Sequence, residues 1–144
     1  WSVLCKYDFA HYLAIDIANQ MLKNFPWDKR IKKICTNIEL DWNFFSGMHV
    51  GLVFFLLEHI HDHVSFISNL YKYLYSWGRI LLSYFPQRRP FIHNDDYWSY
   101  KIKQYNHDIN KVATILQSFD REVISIPIYD ENNNQQGILF IADK

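Results

Sequence analysis

Glu58-His59-Ile60-His61-Asp62-His63 places six consecutive residues, five of them able to move protons or bind metals, directly after the chain's longest apolar run, Val50 to Leu57. Three histidines at alternate positions invite comparison with the H-x-H-x-D-H pattern of binuclear metal hydrolases. The spacing does not match. Asp62 follows His61 with no spacer, so the aspartate and the third histidine are each one position out of register, and no metal site is expected. Glu58 and His59 stand nearest the apolar run and are candidates for a general base or a substrate contact. His61 and His63 read as solvated loop and first-turn residues. Asp16 lies near the end of a second apolar stretch, YLAIDI. A carboxylate there can accept hydrogen bonds from both hydroxyls of a ribose, or it can cap the helix that follows. Asn37 ends a third stretch, where an amide could read the edge of a base. The four glycines, Gly47, Gly51, Gly78 and Gly137, form no Gly-x-Gly loop and no P-loop, and Gly-x-Ser-x-Gly is absent.

The chain that must position these residues has 144 of them, one domain's worth at about 150 per domain. Fifteen Lys plus Arg balance fifteen Asp plus Glu, so the overall field favours neither nucleic acid nor an anionic membrane surface. Apolar residues make up 49% and aromatics 18%, while Gly and Pro number four each, a composition that excludes disorder for most of the chain. Cys5 and Cys35 lack metal spacing and are too few for a disulfide framework, which fits a reducing cytoplasm. The eight residues from Val50 to Leu57 fall well short of the roughly 20 that a membrane span needs. No charged leader precedes an apolar stretch, so no signal peptide is expected. The chain starts at Trp1 rather than methionine, and upstream residues are expected to be missing.

Tyr12 to Ile17 predicts a strand, Asn19 to Phe25 a short helix closed by Pro26 and Trp27, and Ile31 to Ile38 a second strand. Val50 to Leu57 shows no alternation and reads as a strand buried on both faces. Asp62 can cap a helix presenting Val64, Ile67, Leu70, Tyr71 and Leu74 on one face, with Gly78 ending it. Arg79 to Phe85 is then a strand, which completes a βαβ unit. Residues 86–105 read as a long irregular insert carrying Arg88, Arg89, His93, Tyr97, Trp98 and Tyr100. Asp108 to Phe119 is helical, with Ile109, Val112, Leu116 and Phe119 on one face. Val123 to Tyr129 and Ile138 to Ala142 form an antiparallel hairpin, the first strand held to the sheet edge by Pro127. The fold class is α/β, a Rossmann-like, mostly parallel sheet with helices on both faces and a C-terminal antiparallel hairpin. Chemistry is therefore sought at the carboxyl ends of the strands.

The stretch MHVGLVFFLLEHIHDHVSFISNLYKYLYSWGRILLSYFP resembles the fourth strand, following helix and fifth strand of the class I S-adenosylmethionine-dependent methyltransferases. Its match lies in an apolar strand ending in Glu-His-apolar, then Leu74, Gly78 and the run from Ile80 to Leu82. YLAIDIANQML resembles that family's second strand with its acidic end. The resemblance implies S-adenosylmethionine as cofactor and a small-molecule substrate, in one domain over residues 1–144. It also implies roles. Asp16 would hold the ribose, Ile17 would line the adenine, and Asn37 and Ile38 would meet the adenine edge. Phe54 and Phe55 would approach the methionine end, with Glu58 and His59 at the reacting centre. Against the family pattern, His49 replaces a frequent Asp before the fourth strand, Trp77 replaces the first of two glycines, and Asn37 replaces an acid. WSVLCKYDFAHYLAID looks like the helix after the family's glycine-rich loop, as though the first strand and that loop had been cut away. These 144 residues alone are therefore expected to bind cofactor weakly or not at all. A catalytically inactive remnant or interaction domain is the alternative.

Overall fold

The computed structural model describes residues 11–17, 19–25, 27–43, 47–86, 92–93, 102–119 and 122–144. The calls on Cys5 and on Arg88, Arg89, Tyr97, Trp98 and Tyr100 fall outside them, as does the side chain of His93. Two compact units emerge, Trp1–Asp41 and Trp42–Lys144.

In the first unit, β1 (Tyr12–Asp16) and β2 (Ile31–Cys35) pair in parallel, Tyr12 opposite Ile31 and Asp16 opposite Cys35. The helix α1 (Asn19–Lys23) links them and buries Leu22. The second strand is shorter than its apolar pattern predicts. After Cys35 the chain enters a turn in which the Asn37 side-chain oxygen accepts from the Glu39 N–H at 3.0 Å, so Asn37 and Ile38 lie in that turn and not in the strand. An amide that bonds its own backbone two residues on competes directly with the ladder.

The second unit is a four-stranded sheet in the order β3-β4-β8-β7, built from β3 (Met48–Val53), β4 (Leu74–Tyr84), β7 (Ile124–Tyr129) and β8 (Gln135–Asp143). The β3 and β4 strands are parallel; β8 runs antiparallel to both β4 and β7. Pro127 does sit on the edge strand of this order. Two helices, α2 (His63–Tyr73) and α3 (Ile109–Phe119), add to the core, and the rings of Tyr71 and Phe119 stack between them at 4.6 Å. Within the connection after β4, β5 (Ile92–His93) and β6 (Ile102–Lys103) pair antiparallel, so that segment is not wholly irregular. No helix among the described residues is long and apolar enough to cross a membrane.

Three further expectations change. The α2 stripe is Phe66, Ile67, Leu70 and Tyr71, while Val64 at the first turn is exposed. Gly78 does not end the helix, which stops at Tyr73; it lies inside β4, where an added Cβ would come within 2.8 Å of the Tyr75 carbonyl and 3.2 Å of the His49 carbonyl. His49 stands within β3 rather than before it, its ring on Tyr75 at 4.8 Å. The cap on α2 forms as expected: the Asp62 carboxylate accepts from the Ser65 N–H at 3.0 Å. At the other end of α2 the Lys144 ammonium donates to the carbonyls of Tyr71 at 2.7 Å and Leu74 at 2.8 Å. A cation at a helix C-terminus satisfies carbonyls that have no partner within the helix.

Candidate active site

The carboxyl ends of the parallel strands carry the candidate residues in each unit. In the first unit the Asp16 carbonyl accepts from the Thr36 N–H at 3.1 Å, which sets the start of the Asn37 turn beside Asp16. Asp16 is three residues upstream of the start of α1, so it does not occupy the position immediately before the helix that a capping role requires. Ile17 is exposed at 45%, and its carbonyl accepts from the Cys35 thiol. Asp16, Ile17, Asn37 and Ile38 therefore share one end of this small sheet. A cavity of about 330 Å³ in the same unit, lined by Trp27, Asp28, Lys29, Ile31 and Lys33, lies toward the amino end of β2 and includes none of them.

In the second unit the apolar run after Gly51 does not continue as a strand to Leu57. β3 stops at Val53, opposite Leu82, and Phe55 takes a φ of 53°, a left-handed value that costs a bulky residue about 1–2 kcal/mol. Two contacts hold it there. The Phe55 N–H donates to the buried Ser83 hydroxyl at 3.2 Å, and its ring stacks on Phe85 at 4.8 Å. Phe54 and Phe55 are left 47% and 67% exposed. The chain then coils into a 3₁₀ turn, Leu57–His59, which buries Glu58.

Glu58 is 6% exposed. Desolvation pushes its carboxyl above the ordinary glutamate value, against the opposing pull of its own backbone N–H and of His59. Its Oε2 has no hydrogen-bond partner among the described residues, and the same holds for the buried Nε2 of His63 and Oε1 of Gln104. His59, half-buried on the same turn, donates its N–H to the Leu56 carbonyl at 2.9 Å. The turn is held from outside. Tyr105 donates its N–H to the Glu58 carbonyl at 2.6 Å, and the His107 Nε2 lies 3.1 Å and 2.9 Å from the carbonyls of Leu57 and Ile60. The fully buried Tyr84 donates its hydroxyl to the His107 carbonyl at 2.7 Å.

Reading His63 as a solvated first-turn residue is corrected by this packing. Its ring lies on that of His107 at 4.1 Å, and burial, followed by the charge of His107, lowers its basicity. His61 is exposed and meets Tyr105 edge-on at 5.2 Å. No three metal-ligating side chains converge among the described residues. Sequence reasoning missed Ser83, Tyr84, Gln104, Tyr105 and His107. The first two carried a usable signal, polar atoms at the carboxyl end of an apolar strand; the last three carried none, because only long-range packing brings them to the turn.

A parallel strand pair ending in a carboxylate in one unit, and in the other a parallel pair extended by an antiparallel hairpin, describe a known architecture. The fold is that of the class I S-adenosylmethionine-dependent methyltransferases. Among solved structures, one assigned to the S-adenosylmethionine dependent methyltransferases of Listeria monocytogenes superposes with a TM-score of 0.72 at 16% identity, covering 94% of this chain and 80% of that one. An S-adenosylmethionine dependent methyltransferase of Mesorhizobium loti gives 0.71 at 12% identity, covering 94% and 81%. The 1,6-didemethyltoxoflavin-N1-methyltransferase of Burkholderia thailandensis, solved with 1,6-didemethyltoxoflavin and S-adenosylhomocysteine, gives 0.63 at 13% identity and covers 92% of this chain. This chain spans 60% of that enzyme's length. No family model and no curated protein matches the sequence.

Proposed function

We propose that the chain is the methyltransferase domain of an S-adenosylmethionine-dependent enzyme acting on a small molecule, with Glu58 and His59 serving the reacting centre. The reading is carried by one observation: a fold shared with S-adenosylmethionine-dependent methyltransferases in which the turn after a parallel strand buries a carboxylate. The bound cofactor would supply a sulfonium methyl group, open to in-line displacement by a substrate oxygen, nitrogen or carbon. Such a reaction needs positioning and desolvation, plus a base when the nucleophile must lose a proton.

The residue types that each unit offers support that reading. The Asp16 carboxylate can accept from two ribose hydroxyls, and the exposed side chain of Ile17 offers apolar surface to an adenine. The exposed rings of Phe54 and Phe55 offer the apolar and π faces that suit a methionine chain with its cationic sulfur. Asn37 changes the expected role. With its side-chain oxygen committed to the Glu39 N–H, it would donate from its nitrogen to a ring nitrogen of the base instead of accepting from the amino group, as an acid would. Ile38 beside it would flank the base. His59 would take the substrate proton, and Glu58 would hold a proton or orient the nucleophile. The connection over residues 86–105 would select the substrate. The free, exposed Cys35 supports a reducing, cytoplasmic setting.

The test is saturation-transfer NMR with millimolar S-adenosylhomocysteine, a method that separates weak binding from none, the two outcomes expected of these 144 residues. Transfer to the adenosine protons is expected for the native chain and for Lys33→Ala, and is expected to be lost in Asp16→Ala. If Asp16→Ala keeps the transfer, the ribose role of Asp16 fails; if the native chain shows none, the inactive, partner-binding alternative becomes the reading of these 144 residues.

A further inference from the structure

The segment Gln104–Asp108, between β6 and α3, crosses the turn that carries Glu58 and His59 and bonds to it at three points. Both acceptors facing the His107 Nε2 are carbonyl oxygens, which can only accept, so the ring proton must sit on Nε2 and is shared between Leu57 and Ile60. Leu57 and Ile60 are 0% and 2% exposed, so water cannot replace that donor without opening the turn. The backbone of His107 is fixed in turn by the Tyr84 hydroxyl, and its ring is backed by His63. The neighbouring Tyr105 N–H holds the Glu58 carbonyl itself. A 3₁₀ turn of three residues has little internal bonding to keep its shape. Its geometry must come from such outside ties.

We propose that His107 is a positioning residue: its Nε2–H holds the Leu57–Ile60 turn so that Glu58 stays buried and His59 keeps its direction, which mounts the reacting groups on the far end of the connection after β4. The consequence for catalysis rests on the function proposed above, while the mechanical claim does not.

The experiment labels glutamate carboxyl carbons with ¹³C and follows Glu58 titration by NMR in the native chain, His107→Gln, His107→Leu and Val112→Ala. The titratable groups around Glu58 are His59 on its own turn and Tyr84 on β4. His63 on α2, with Asp62 and Lys111 near it, faces His107. Removing the donor with His107→Leu should let the turn open, so that the Glu58 midpoint moves down toward that of a solvated glutamate. The Gln amide still donates and should hold the midpoint near its native position. Val112→Ala, a cavity in α3 that leaves the turn bonded, should lower stability and leave Glu58 alone. If His107→Leu does not fold, Tyr84→Phe, which deletes only the hydroxyl tie, should give the same downward shift to a smaller extent.

An unmoved Glu58 midpoint in a folded His107→Leu or in Tyr84→Phe, an equal shift in Val112→Ala, or a failure of Gln to restore it overturns the proposal. Methyl transfer from labelled S-adenosylmethionine to a panel of small amines and hydroxylated acceptors is a separate readout. Its absence in the native chain would assign these 144 residues to the inactive alternative and leave the titration result standing. Where it is present, the pH profile of kcat should shift in His107→Leu in step with Glu58.

Discussion

The ends of β1 and β2 and the turn after β3 present two ways of displaying polar groups at strand termini. The first is local. Asn37 bonds Glu39, Asp28 bonds Arg30 two residues away, and the described hydrophobic core of that unit is Ala14 and Leu22. The second is non-local, with Glu58 fixed by Tyr105, and Leu57 by a histidine fifty positions on, inside a unit that holds the remaining fifteen buried apolar residues. A site made of near neighbours can form early and flex freely. One made of distant contacts is rigid but exists only when the whole unit is folded. That division suits the binding edge proposed for one unit and the reacting group proposed for the other.

The sharpest way to break the contrast is to remove core volume from each unit. Leu82, 0% exposed near the carboxyl end of β4 and flanked by β3 and β8, sits among packed strands that cannot collapse onto a void. Leu82→Ala should cost about 3–5 kcal/mol in urea denaturation followed by circular dichroism. Leu22 belongs to a helix of five residues with exposed neighbours that can close over the gap. Leu22→Ala should cost about 2 kcal/mol, the low end of the same scale. An equal or larger loss at Leu22 would show that the first unit is packed as tightly as the second, and the contrast would fail.

A smaller effect, of opposite sign, is expected at a flaw in the better-packed unit. Trp77 takes a φ of 72° and is 94% exposed, at the point where the pairing of β3 with β4 slips its register. This is the position at which the methyltransferase pattern has a glycine, and the backbone gives the reason: the left-handed region costs a residue with a Cβ about 1–2 kcal/mol. The Trp77 N–H bond to the Lys144 carbonyl at 2.8 Å uses only the backbone, so it survives truncation of the side chain. After the entropy that a glycine adds to the unfolded chain, Trp77→Gly should stabilise the protein by about 1 kcal/mol or less. A destabilised variant would mean that the indole is held by contacts worth more than the strain.

How much of this was legible in the sequence follows the same division. Helices α2 and α3 and the Pro127 hairpin showed in spacing and turn residues because those features are local, and the Asp62 cap was readable for the same reason. Val50 to Leu57 misled because one apolar run serves two purposes. Its first half is strand, while Leu57 is apolar because it plugs the core from a 3₁₀ turn, and periodicity cannot register a change of element inside eight residues. Gly78 was misread as a helix stop because a glycine wanted for close backbone approach looks the same as one wanted for a left-handed cap. Glu58 and His59 stand out in the sequence by chemistry and position. The ties that hold them, His107 above all, are invisible until residues fifty apart are seen together.

The finest test concerns slope rather than level. Glu58 is raised in the folded state, so between the ordinary value of 4.5 and its higher folded value the native chain holds a proton that the unfolded chain has lost. Its contribution to stability is complete below 4.5 and fades as pH rises through the folded value. His63 runs the other way. Its folded value lies below 6.5, so its contribution is present above 6.5 and fades as pH falls through the lower folded value. Urea denaturation across this range should therefore show Glu58→Gln gaining on the native chain as pH rises and His63→Gln gaining on it as pH falls. Variant-minus-native differences isolate these two slopes even where they cancel in the native profile. Both groups owe their shifts first to desolvation, so a flat difference at either position would mean that water reaches the turn, and the non-local site would be as open as the local one.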